Sequence, residues 1–185
     1  MFRRRPIPRP LRRALPADVP PALRRANALM AAGQYAAAAE IFGQFGQAAL
    51  QRGGPRAPVF LLQAGRAHLL AGQIQQSLIQ TRKGLSVLVE RGQVAESQRA
   101  GQRAVAALRE RGLSAEAGEL ETFLASLLPA GLEPLAEAPA ESQAQRLLPT
   151  QCPSCGAPLR SDEAEWIDPA TAECPFCGGA VRAEG

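Results

Sequence analysis

The chain has 185 residues and a net charge of +4, with 46% apolar, 21% charged and only 4% aromatic residues. This is the composition of a folded chain with room for one ordinary domain or two small ones, and so few aromatics favour close-packed helices over a β-sandwich or barrel. No apolar run approaches the ~18 residues of a transmembrane helix, and the N-terminus lacks the apolar stretch of a secretory signal, so a soluble, cytoplasmic protein is expected. A single histidine, His68, leaves no means of building a two-histidine metal site. There is no phosphate-binding Gly-rich loop, no Gly-x-Ser-x-Gly and no Gly-x-Gly-x-x-Gly,. A binding protein is expected rather than an enzyme.

Charge is distributed unevenly along the chain. Residues 1–25 hold eight arginines against Asp18, for +7; residues 26–128 carry +3; residues 129–185 carry −6. Of the 21 cations, 20 are arginine, a bias that codon usage explains without any phosphate partner. The first segment, residues 1–20, is a basic arm in which Arg3, Arg4, Arg5, Arg9, Arg12 and Arg13 alternate with Pro6, Pro8, Pro10 and Pro16. Proline removes helix donors and extends its predecessor, so the arm reads as polyproline-like chain. Two readings stand side by side: a tether for an acidic partner, an anionic membrane surface or nucleic acid, or a solvated tail.

Residues 21–128 carry an internal repeat. Ala32-Gly33-Gln34-Tyr35, Ala71-Gly72-Gln73-Ile74 and Arg111-Gly112-Leu113-Ser114 are spaced 39 and 40 residues apart. Helix-period apolar residues flank each glycine: Leu23, Ala26 and Leu29 before the first, for example, and Ala38, Ile41 and Phe42 after it,. One helix–turn–helix per period predicts three hairpins forming a short α-solenoid. The segment resembles a tetratricopeptide (TPR) array at Ala26, Leu29, Gly33, Tyr35, Ala38 and Phe42, at Gly65 and Gly72, and at Gly112, Ala117 and Leu124. It departs from that pattern in its longer period and in lacking a proline at each repeat end. A plain helical bundle remains the alternative. Small residues at the helix crossings (Ala38, Gly65, Ala117) are expected to let paired helices approach closely.

The resemblance implies that the first helix of each hairpin lines a concave groove for a protein partner. Asn27 and Met30, then Arg66, Leu69 and Leu70, then Gln102 and Arg109 are the residues it would expose, with the arginines suited to an acidic peptide. His68 is expected to be packed or half-buried rather than a ligand.

Prolines and glutamates interrupt the pattern over residues 129–149, which read as an acidic linker. Residues 150–183 then carry Cys152-Pro-Ser-Cys155-Gly and, after eighteen intervening residues, Cys174-Pro-Phe-Cys177-Gly. Two such pairs at this spacing predict a four-thiolate Zn²⁺ site, closed and structural. Gly156 and Gly178 are placed to take the positive φ that closes each knuckle. Both halves resemble zinc-ribbon knuckles. Residues 164–167 and 171–173 are expected to pair as strands. Five large apolar residues are a small core for this segment, so the metal is expected to carry its fold. Disulfides and a redox Cys-x-x-Cys fit less well, and iron is the competing metal.

The expected fold is therefore mainly α: three hairpins in a short α-solenoid, plus a small β-hairpin zinc ribbon. The expected function is a non-enzymatic, zinc-binding adaptor or scaffold for a protein partner. A nucleic-acid-associated factor, using arm and ribbon, and an accessory subunit tethered by its arm are the alternatives.

Overall fold

The computed structural model describes residues 19–127, 147–161, 164–168, 170–174, 176–177 and 179–183. Among the described residues six helices follow one another: α1 (Pro21–Ala31), α2 (Tyr35–Gln51), α3 (Ala57–Leu70), α4 (Ile74–Glu90), α5 (Val94–Arg109) and α6 (Ser114–Leu127). Prolines stand in the first turns of α1 and α3, where the missing N–H has no partner to lose.

The helices stop by one recurring device. Gly33 adopts φ +74°, and the next N–H, that of Gln34, returns to the carbonyl of Leu29 at 2.9 Å. Only glycine takes this left-handed cap without a Cβ penalty. The same closure recurs at Gly53, Gly72, Gly92 and Gly112. The three expected hairpin turns are present, and the joints between hairpins use the same cap. The sequence reading places no turn at Gly92, although Gly92-Gln93-Val94 repeats the Gly-Gln-apolar signal of the first two hairpins.

Packing is consecutive, each helix lying on its neighbours in the chain, with lesser contacts of α4 on α6 and α3 on α5. Ala38 and Ala117 are fully buried. A Cβ at Gly65 would strike Thr81 Oγ1 and meet the Ser77 carbonyl at 3.2 Å, so α3 and α4 touch nearly backbone to backbone. Gly65 thus sits at a close crossing, as the sequence implies. Ser97 is buried between turns and donates to the Leu85 carbonyl at 3.2 Å, which satisfies its hydroxyl.

The C-terminal segment forms a three-stranded antiparallel sheet in the order β1-β2-β3: β1 (Glu165–Asp168), β2 (Thr171–Glu173) and β3 (Ala180–Arg182). Glu165 pairs with Glu173 and Trp166 with Ala172, after which the register shifts. The first two strands are those expected; β3, paired across Ala172 and Val181, is additional.

The core has two parts. One joins Leu69 of α3 to Leu78, Leu85, Leu88, Val105, Leu108, Leu120 and Leu124 of α4, α5 and α6. The other runs from Leu23, Ala26, Phe42 and Phe60 of α1–α3 straight into Ala157, Leu159, Ala172, Phe176 and Val181 of the sheet segment. The described part of the cysteine segment is therefore docked on the first helices. Its few apolar residues share a core with them, so the segment is buried by more than its own large side chains.

Candidate metal centre and the groove beside it

Two short loops bring the cysteines together, and they close in the same way. The Cys152 N–H donates to the Ala157 carbonyl at 2.8 Å, and the Cys174 N–H donates to the Gly179 carbonyl at 2.9 Å. Each knuckle is thus a six-residue span pinned at its ends. Gly156 takes φ +73°, the positive value expected for it; Gly178 lies outside the described residues. The Gly179 N–H points at Cys177 Sγ at 3.4 Å, the polarity a thiolate requires.

All four sulfurs are buried and lie within 4.8 Å of one another. Cys152 Sγ is 3.7 Å from Cys177 Sγ, and Cys155 Sγ is 3.9 Å from Cys174 Sγ. A tetrahedron with metal–sulfur bonds of about 2.3 Å has sulfur–sulfur edges of about 3.8 Å, so the tetrad fits one tetrahedral ion. Without a cation the sulfurs must share protons. The bond between Cys155 and Cys174, and then burial, push the Cys155 thiol far up. The same bond lowers Cys174 to about 5, against the opposing effect of burial. Burial raises Cys177 to about 11. A central cation removes this conflict by stabilising all four thiolates together. No other cluster of metal-ligating side chains occurs among the described residues. His68 is half-buried, and its Nδ1 pairs with Gln73 Oε1 at 2.6 Å.

The metal centre faces α1. Asn27 Nδ2 donates to the Cys155 carbonyl at 2.8 Å, a buried contact between residues 128 apart. Arg56 at the head of α3 meets Glu173 of β2 at 3.4 Å. Asn27 was expected to be exposed in the groove; it is 4% exposed, because the first knuckle already covers that face of α1.

Past this cover the concave side opens. A groove of about 1300 Å³ is lined by α3, α5, the loop around Arg111 and, from the cysteine segment, Arg160, Ser161, Trp166 and Glu173. Arg66, Leu69 and Leu70 line it as expected. Leu69, however, is only 7% exposed and belongs to the α3–α6 core, so its expected exposure is corrected. Gln102 and Arg109 lie elsewhere, on a separate hollow of about 370 Å³ beside α6, where Arg109 pairs with Glu121 at 2.7 Å. The reason is helical phase. Residues 102 and 109 share one face of α5, whereas Arg99, Ala100, Arg103 and Ala107 face the groove,. The Arg99/Arg103 pair, four residues apart, was the signal that marked this face. The six arm arginines, Arg3 to Arg13, lie outside the described residues, as does most of the 129–149 linker.

No helix of the described residues is long and apolar enough to cross a membrane. No family model, curated protein or solved structure matches the chain. Fold and site together define a mainly helical protein, with six consecutively packed helices among the described residues and a small sheet beside four buried cysteines able to hold one metal ion.

Proposed function

We propose that this protein is a non-enzymatic adaptor of the cytoplasm: a TPR-like helical array that holds a protein partner, with one structural Zn²⁺ fixing its C-terminal ribbon. The observation that carries this reading is the groove of about 1300 Å³ along α3 and α5. These are the first helices of the second and third hairpins, the ones an array of hairpins leaves on its concave side. Zinc is favoured because four buried thiolates leave no open coordination position, and because thiolate sets select Zn²⁺ or iron among common ions. A reducing compartment keeps such thiols available.

A photo-crosslinking residue at Leu70, in the groove, compared with one at the exposed Gln75 on α4, tests the adaptor in cells that express it. Partners enriched at Leu70 over Gln75 are expected; identical recovery from both positions overturns the reading. Elemental analysis of protein purified without chelator is expected to give one zinc per chain. Iron at that stoichiometry, or no metal, overturns the zinc assignment.

A further inference from the structure

The groove is not built from helices alone. Arg160 and Trp166 of the ribbon stand in its lining with the α3 and α5 residues, and the ribbon reaches that position because its knuckle is docked on α1. Six arginines and three glutamates line the groove among the described residues. Arg56 is matched by Glu173, Arg111 donates to the Ala107 carbonyl, and Arg103 and Arg160 already have partners within the chain. Arg66 and Arg99 are exposed and make no ion pair with any described residue. Arg99 and Arg103, one turn apart on α5, both line the groove,. Between the charges the surface is aliphatic: Leu62 and Leu70 from α3, Ala100, Ala104 and Ala107 from α5.

We propose that this composite surface is a binding site for an acidic peptide segment with aliphatic side chains between its carboxylates, and that the metal-held ribbon is one of its walls. The proposal rests on the adaptor reading and adds the chemistry of the partner and the dependence on metal. Guanidinium groups grip carboxylates with two parallel hydrogen bonds, and the aliphatic floor buries the intervening side chains. A single-stranded nucleic acid would need a succession of aromatic platforms, and Trp166 is the one exposed enough to offer a face, since Phe176 is buried. The arginines suit either polyanion, and the aliphatic floor with its lack of successive aromatic faces favours the peptide,.

The test is fluorescence anisotropy on the full-length, metal-loaded chain. Its probes are a labelled dodecapeptide of alternating glutamate and leucine, the same peptide with lysine for glutamate, and labelled dodecathymidylate. The glutamate peptide alone is expected to bind, with affinity falling as salt rises. Arg66→Glu with Arg99→Glu should weaken it at least about tenfold at an unchanged melting temperature, whereas Arg25→Glu on α1, outside the groove, should not. Chelation of the metal, and separately Trp166→Ala, should each weaken binding too. Equal binding of the lysine peptide, or indifference to the double substitution, overturns the site. Thymidylate binding that the double substitution abolishes overturns the peptide in favour of nucleic acid. Binding that survives both chelation and Trp166→Ala overturns the ribbon's part. If the glutamate peptide fails to bind while Leu70 still crosslinks partners, the ligand chemistry is wrong and the adaptor stands; if both fail, both fall.

Discussion

In the first hairpin the inner face of α1 is covered: Asn27 is buried and bonded to the ribbon backbone. In the second hairpin the equivalent position, thirty-nine residues on, is Arg66, which is exposed and faces the groove. Both residues stand six positions before the glycine that ends their helix, so the backbone geometry is shared and the difference lies in what is laid on it. A neutral amide suits a buried contact with a carbonyl. A guanidinium there would bring a charge into a core and demand a partner. The comparison teaches that the concave side is one surface in two states, with the protein's own C-terminus on one half and solvent on the other.

The largest disruption should come from the metal site. Cys155→Ser removes one ligand and should abolish metal binding. The ribbon should then unfold and uncover α1, raising hydrogen exchange in residues 21–31 as well as in 150–183, while α4–α6 stay protected. Exchange confined to 150–183 would show that the two bodies are independent. Leu69→Glu comes next. It places an unpaired carboxylate in the α3–α6 core and should cost about 3 kcal/mol or more, read by thermal or denaturant unfolding. An unchanged melting temperature would restore Leu69 to the open groove.

Asn27→Ala sharpens the comparison at its centre. It leaves the Cys155 carbonyl without its donor in a buried setting and should cost about 1–2 kcal/mol, with exchange rising first at the first knuckle. The converse substitution, Arg66→Asn, should change stability by less than about 0.5 kcal/mol, since that position has no cover to lose. Equal effects at the two positions would erase the distinction. Smallest of all is Arg56→Ala. Its pair with Glu173 is partly solvated, with side chains 38% and 45% exposed, so the loss should lie between about 0 and 1 kcal/mol and shrink further in salt.

How much of this was legible in the sequence depends on how far each signal reaches. Turn glycines, helix periodicity and the Cys-x-x-Cys pairs act over a few residues, and they delivered the hairpins, two of the three strands and the tetrad. The groove side of α5 was misjudged because repeat alignment fixes where a helix lies but not its exact rotation, and one residue shifts the face by about 100°. That is the distance between Gln102 and Arg103. The docking of the ribbon left no trace at all. Its key bond joins an asparagine to a main-chain carbonyl, and a carbonyl belongs to every residue, so nothing on the ribbon side advertised it.

The same bond has a consequence for biogenesis. Helices α1 to α6 contact their neighbours in the chain and can assemble as they are synthesised. The partner of Asn27, however, is made 128 residues later. Until both knuckles have emerged and closed, Leu23, Ala26 and Phe60, which end up in the core shared with the cysteine segment, lack part of their cover. The first of the described helices to be made is thus the last to be finished, and a tetrad that failed to close would be felt in α1, far from the cysteines in sequence.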